Sequence, residues 1–171
     1  MRALFLNGTV GVGKTSVADA VGGLLTLDGV PNAVIDVDWL ARVWPAPVDD
    51  RFNFRLALRN LEAMVTNFDR TGIRMLVVAG VIETRAQLEN YQRVLGEDLW
   101  LCRLTVDAAE GIERLRRRHV DEGELEWHLH RAGELHSILE ASGLDDTVLD
   151  TTGVGVVTSA SEALRQFVAG N

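Results

Sequence analysis

Three glycines fall within six residues near the start of the chain, and a Lys-Thr pair follows at once: Gly8-Thr9-Val10-Gly11-Val12-Gly13-Lys14-Thr15. Glycine at positions 8, 11 and 13 lets the backbone bend so that successive N–H groups converge on one point. The preceding residues, Ala3–Asn7, are apolar through Leu4-Phe5-Leu6, the pattern of a strand buried on both faces. After the loop, Val17, Val21 and Leu24 recur at helical spacing, predicting a helix from about Lys14 to Leu27. Strand, glycine turn and helix in that order aim the helix's positive end at the turn, which suits phosphate. The spacing Gly-x-x-x-x-Gly-Lys-Thr is the complete Walker A pattern, so a nucleoside triphosphate is the expected ligand.

The residue types have assigned work within that pattern. Backbone groups of Gly8, Gly11, Val12, Gly13, Lys14, Thr15 and Ser16 form the expected cradle. Lys14 neutralises charge on the β and γ phosphates, and the Thr15 hydroxyl is the expected Mg²⁺ ligand.

The rest of the chain alternates apolar runs with helical patterns, as repeated βα units do. Strands are expected at Ala33–Val37, Arg74–Ala79, Leu99–Val106 and Thr147–Asp150. Helices are expected through Leu56–Phe68, Thr84–Leu95 and Ala108–His119, and from beyond Asp121-Glu122-Gly123-Glu124 to about Ser142. Asp28-Gly29 and Pro31 end the first helix, and Pro45 with Pro47 excludes one regular helix over 38–50. Ser159-x-x-Glu162 reads as a capping box opening the last helix. The expected fold is a three-layer α/β P-loop NTPase fold, a five-stranded parallel sheet with helices on both faces and a small lid. One domain over residues 1–171 is expected.

Asp36-Val37-Asp38 ends the second strand. Ligands of open α/β sheets bind at the carboxyl ends of the strands. On an extended strand, side chains two apart point the same way, so both carboxylates are expected to face the triphosphate. Asp36 is assigned to the Mg²⁺ shell and Asp38 to the proton of an acceptor hydroxyl. The plainer alternative is a turn aspartate and an N-cap for a helix beginning near Trp39.

With these residues in view, the chain resembles the small-molecule kinases of the P-loop superfamily, chloramphenicol phosphotransferases above all. Leu4-Phe5-Leu6-Asn7-Gly8 runs straight into the phosphate loop. Val37-Asp38-Trp39-Leu40 with Pro45 resembles the segment around that family's catalytic aspartate. Val148-Leu149-Asp150-Thr151-Thr152 resembles its last core strand and the loop near the adenine. The Asp36/Asp38 pair is similar to that of shikimate kinase, whose triple glycine after strand three is absent, and the extended motifs of adenylylsulfate kinase-like proteins are not found. The resemblance implies strand order 2-3-1-4-5, a substrate-covering region at about 38–70, an arginine-bearing lid at about 114–131, and ATP as donor. Strand three reads Met75-Leu76-Val77-Val78-Ala79-Gly80 and lacks a terminal aspartate, which leaves Asp36 or Glu83 for the metal.

Arg114, Arg116, Arg117 and Arg118 cluster before the lid, with Arg131 beyond. Arg114 and Arg118 share a face at four-residue spacing and are expected to stabilise charge on the transferred phosphoryl group. Arg51, Arg55 and Arg59 either grip an anionic acceptor or pair with Asp49, Asp50 and Glu62, the pairing slightly favoured. Trp39 and Trp44 either stack on a substrate ring or pack in the core. His128, His130 and His136 lack the spacing of a zinc site.

A net charge of −8 argues against nucleic acid as a partner, and no stretch approaches a membrane span. A single cysteine and the lack of a signal-peptide pattern fit the cytoplasm. The expected activity is ATP- and Mg²⁺-dependent phosphorylation of a small-molecule hydroxyl. A regulatory nucleotide-binding module or slow NTPase is the alternative, a nucleic-acid end kinase or toxin kinase is less favoured, and a homodimer remains open.

Overall fold

The computed structural model describes residues 1–50, 52–118 and 121–170, with the backbone alone at Arg118. Five strands, β1 (Arg2–Gly8), β2 (Asn32–Asp36), β3 (Met75–Ala79), β4 (Trp100–Thr105) and β5 (Thr147–Asp150), form one sheet. Their order is β2-β3-β1-β4-β5 and every pairing is parallel, as expected. Parallel neighbours need crossover connections, and helices supply them: α1 (Lys14–Leu27), α2 (Val37–Leu40), α3 (Phe54–Asp69), α4 (Arg85–Leu95), α5 (Ala108–Arg118), α6 (Glu122–Ser142) and α7 (Val156–Gly170).

Alternation along the central strands builds the two core layers. Leu4 and Leu6 of β1, with Val77 and Ala79 of β3, face Val17 and Val21 of α1 and Ala160, Ala163 and Phe167 of α7. Ala3 and Phe5, with Leu76 and Val78, face Leu61 of α3 and Leu88, Tyr91 and Leu95 of α4. Burying a side chain of leucine or phenylalanine size contributes ~1.5–3 kcal/mol, so the paired layers fix β1 at the sheet centre. Tyr91 also meets Phe5 edge-on, with ring centroids 4.9 Å apart, and Phe54 at 5.7 Å.

Local signals set most element ends. Helix α1 stops where Gly29 takes a φ of 68° and the Val30 N–H bonds Leu25 O at 2.8 Å. Helix α4 opens on a capping box between Thr84 and Gln87. The expected start of the last helix is corrected. It begins at Val156, the Ser159 N–H donates to Gly155 O at 3.0 Å, and Ser159 is buried inside it. The Ser-x-x-Glu spacing recurs by chance within helices, and here the chain had already turned at Gly153 and Gly155. Among the described residues, no helix is long and apolar enough to cross a membrane.

Candidate active site

The phosphate loop leaves the carboxyl end of β1 at the sheet centre. Gly8 holds φ 143°, Gly11 82° and Gly13 103°. A Cβ on Gly8 would stand 2.6 Å from Leu104 O, and one on Gly11 would stand 2.7 Å from Leu115 Cγ. Both glycines are therefore demanded by close approach as well as by conformation. Gly13 caps α1 without any side-chain acceptor, so the first turn of that helix keeps its N–H groups for another partner. Lys14 Nζ folds over the loop and donates to Gly8 O and Thr9 O, each at 2.9 Å. This loop fits a triphosphate: three glycines at positive φ turn it, and its helix end lacks a side-chain cap.

Thr15 Oγ1 donates to Asp36 Oδ2 at 2.6 Å, joining the loop to the end of β2. The strand-period argument for a common direction of Asp36 and Asp38 does not hold. The strand ends at Asp36, and Val37–Leu40 turn as a short helix, so the two-residue period does not reach Asp38. Asp36 is the N-cap of that turn, and its Oδ1 accepts from the Asp38 N–H at 2.9 Å. One carboxylate thus holds the Thr15 hydroxyl with one oxygen and fixes the Asp38 backbone with the other. A hydroxyl beside a carboxylate is an all-oxygen donor set that suits Mg²⁺ completed by waters.

Asn7, just before the loop and 1% exposed, is a joint that sequence reading missed. Its Oδ1 accepts from the N–H groups of Gly8 at 2.9 Å and Ile82 at 3.1 Å, and its Nδ2 donates to Ile82 O at 3.1 Å and Asp145 Oδ1 at 3.4 Å. Arg103 Nε stands 2.8 Å from Asp145 Oδ2, and its Nη1 donates to Glu140 Oε2 at 2.8 Å. Burial pushes the Asp145 carboxyl up, against the opposing pull of Arg103 and Asn7. An asparagine in an otherwise apolar strand was the available signal.

Arg114 does reach the loop, but as a bracket. Its Nη1 donates to Val12 O at 2.8 Å, and its Nη2 to Thr151 O at 3.1 Å and Glu110 Oε1 at 2.6 Å. The Arg118 side chain and Arg51 lie outside the described residues. Arg55 pairs with Asp49 at 2.7 Å and Asp50 at 3.6 Å, the favoured alternative for that stripe. Trp39 and Trp44 are 64% and 91% exposed, so the core-packing option is wrong for both: the turn at 37–40 and the prolines carry them outward. Arg42 stacks over the Trp39 ring at 4.0 Å. Among the described residues, no group of three or more His, Cys, Asp and Glu is placed to hold a metal ion.

Above the sheet end, Glu83 follows the Ile82 that Asn7 holds, and it accepts from Arg131 Nη2 of α6 at 2.5 Å. Arg131 Nη1 donates to Glu134 Oε2 at 2.7 Å, and the guanidinium lies 5.1 Å from the centre of the Phe52 ring. Phe52, Trp127, His130, Arg131 and Glu134 line a cleft of about 290 Å³. Sequence reading placed Glu83 and Arg131 only loosely and did not single out Phe52 or Trp127, because their meeting depends on how α6 crosses the sheet.

No family model and no curated relative matches the sequence. Solved structures do match. A gluconokinase from Sinorhizobium meliloti 1021 is 20% identical with a TM-score of 0.62, over 98% of this chain and 91% of that one. The Deinococcus radiodurans tunicamycin resistance protein is 22% identical with a TM-score of 0.65, over 96% of this chain and 94% of that one. Shikimate kinase from Acinetobacter baumannii, in complex with shikimate, is 15% identical with a TM-score of 0.61, over 99% and 94%. Identities this low speak for architecture, and the strand order and phosphate loop agree with it. The chain has the fold of the P-loop small-molecule kinases.

Proposed function

We propose that the chain is an ATP-dependent kinase that transfers the γ-phosphoryl group to a hydroxyl of a small molecule. The observation that supports this most is the 2.6 Å hydrogen bond from Thr15 to Asp36, with Asp38 fixed by the same carboxylate. A module that only binds nucleotide has no use for a second carboxylate two residues on, whose backbone N–H Asp36 holds.

When bound, ATP supplies the phosphoryl group, and Mg²⁺ supplies positive charge that offsets its oxygens. The N–H groups of Gly8, Gly11, Val12, Gly13, Lys14, Thr15 and Ser16 hold the phosphates. Lys14, which here donates to the carbonyls of Gly8 and Thr9, would turn its flexible stem to the phosphate oxygens. Thr15 and Asp36 would hold the metal. Asp38 would hydrogen-bond the acceptor hydroxyl and take its proton as the oxygen attacks the γ-phosphorus, the bond to the β–γ bridging oxygen breaks and ADP leaves. Arg114 positions the loop from behind, through Val12 and Thr151.

A library of hydroxyl compounds, screened with Mg-ATP for a gain in mass, tests the reading. On the acceptor found, Asp38→Asn transfers phosphate ~100-fold more slowly, the lower end of general-base contributions, and binds Mg-ATP as the parent does. Full transfer by Asp38→Asn moves the base elsewhere. If no compound gains phosphate although ATP binds, the reading as a regulatory module or slow NTPase replaces this one.

A further inference from the structure

We propose that Asn7 is a positioning residue for the phosphotransfer: its side chain fixes the floor of the crevice between the phosphate loop and the segment after β3, and so sets how the donor phosphate meets the acceptor. The proposal rests on the phosphotransfer reading above and adds a buried residue that acts on the reaction through its neighbours.

Topology makes the crevice. Strands β1 and β3 are parallel neighbours, in register from Arg2 with Met75 to Leu6 with Ala79. The helix after β1, α1, packs on one face of the sheet, and the helix after β3, α4, packs on the other. Adjacent strands whose chains leave to opposite faces part at their carboxyl ends, and ligands of open α/β sheets bind in that gap. The Gly80 N–H still donates to Leu6 O at 3.2 Å. One residue further along β1, the Asn7 side chain takes over, accepting from the Ile82 N–H and donating to Ile82 O, each at 3.1 Å. The same Oδ1 accepts from the Gly8 N–H at 2.9 Å, so one amide joins the first turn of the phosphate loop to the opposite bank. That bank also carries Asp36, which stands in register with Ala79. A shift at Asn7 therefore moves the donor side against the side that bears the carboxylates.

An amide is the group this place requires. Oδ1 meets two N–H donors, and Nδ2 meets two acceptors, Ile82 O and Asp145 Oδ1 at 3.4 Å, which uses the full capacity of the side chain. Turned over, the amide would set its NH₂ against two N–H groups, so its orientation is fixed. Asp145 supports that orientation from behind. Its other oxygen stands 2.8 Å from Arg103 Nε, and Arg103 Nη1 donates to Glu140 of α6 at 2.8 Å. A satisfied buried network of this kind specifies one arrangement of the segments it joins. Leucine, of similar size, would withdraw a partner from Gly8, from both polar groups of Ile82 and from Asp145.

Aspartate, of the same shape, separates positioning from packing. Its carboxylate can accept from Gly8 and Ile82 but has no donor for Ile82 O or Asp145, whereas its protonated form has one. The charged and titratable groups around the site are Asp145 before β5, Arg103 of β4, Glu140 and His136 of α6, Glu83 beyond Ile82, and Lys14 over Gly8. Asp145 bonds Asn7 itself, so its like charge, together with burial, raises the pKa of a carboxyl introduced there. The protonated, amide-like form is then present below that raised value and is lost as pH rises through it.

Steady-state kinetics on the full chain, with the acceptor found by screening, test the role. Asn7→Leu should lower kcat at least about tenfold, the order expected when reacting groups are slightly misplaced. Its affinity for a non-hydrolysable ATP analogue with Mg²⁺, read by calorimetry, should change by less than about threefold. For Asn7→Asp, kcat relative to the parent at the same pH should rise about threefold or more from about pH 8 to about pH 5.5, while the ratio for Asn7→Leu stays level. Taking the ratio cancels titrations that the parent shares, those of Asp38 and His136 included. Adding Asp145→Asn to Asn7→Asp should shrink the rise, because the like charge is gone. Parental kcat in Asn7→Leu overturns the proposal. A level ratio for Asn7→Asp does so too, and decides the matter where Asn7→Leu does not fold. A loss of analogue affinity as large as the loss of kcat also overturns it, by making Asn7 a support for binding alone. If the parent transfers phosphate to no compound, the phosphotransfer reading falls and this role with it; if the parent transfers and Asn7→Leu is unimpaired, the role alone falls.

Discussion

Single side chains in this molecule hold several segments at once. Arg114 is the clearest case, since one guanidinium joins the phosphate loop, its own helix and the turn after β5. Lysine is no substitute, because one ammonium cannot span the carbonyls that a planar fork reaches together. Arg114→Lys and Arg114→Ala should both lower the melting temperature by about 3–6 °C, the loss of one or two charged hydrogen bonds in a chain this size. Both should also weaken ATP binding, because the loop loses its rear support. Unchanged melting with weakened ATP binding would instead make Arg114 a direct phosphate contact, the role its sequence position suggested. Thermal scans and calorimetry on the same samples decide this.

Among the elements, the segment between β2 and α3 depends most on one residue. Asn53 has a φ of 53°, is buried, and donates from Nδ2 to Ala41 O at 2.9 Å. The Asp50 carboxylate completes the joint by accepting from the N–H groups of Phe54 at 2.8 Å and Arg55 at 3.0 Å. An alanine in the left-handed region carries a penalty of ~1–2 kcal/mol that glycine escapes. Asn53→Ala should therefore unfold more easily in urea than Asn53→Gly by about 1 kcal/mol, although both lose the bond to Ala41. Equal midpoints would mean that the side-chain bond alone secures the segment.

The same scale shows what was legible in the sequence. The strands β1, β3 and β4 announce themselves as apolar runs, and the phosphate loop is written in glycines, because each obeys a local rule. Asp36 and Thr15 were both assigned to the metal, Asp36 from its place at the end of strand two, and the two side chains are found bonded to each other. The strand was carried too far, to Asp38, because a turn of four residues leaves too short a pattern to distinguish from a strand end. The cleft was invisible for another reason: Phe52, Glu83, Trp127 and Arg131 are neighbours only through the crossing of α6 over the sheet. Nothing in their spacing encodes that crossing.

Taken whole, the molecule pairs a closely packed sheet with a helical hairpin, α5 and α6, standing beside the phosphate loop. Leu115 packs against Gly11 and Arg114 holds Val12, so the base of the hairpin shares the loop's fate. If the hairpin closes over bound nucleotide, amides near the α5–α6 turn should exchange more slowly with a non-hydrolysable ATP analogue and Mg²⁺ than without. Hydrogen exchange resolved by peptide measures this directly. No added protection between Ala108 and Glu134 would remove the lid from the mechanism and leave a rigid open site.

Arg114 has a further consequence, for the order in which the protein is made. The loop's glycines leave the ribosome first, yet Gly8 packs on Leu104, Val12 is held by Arg114, and Arg114 is itself anchored on Thr151. Contacts so distant along the chain form only once their later partner exists. During synthesis the nascent chain therefore carries an unsupported loop until the residue after its last strand has emerged. The rear support of the loop, and with it any nucleotide binding the loop performs, arrives late, once Thr151 is in place.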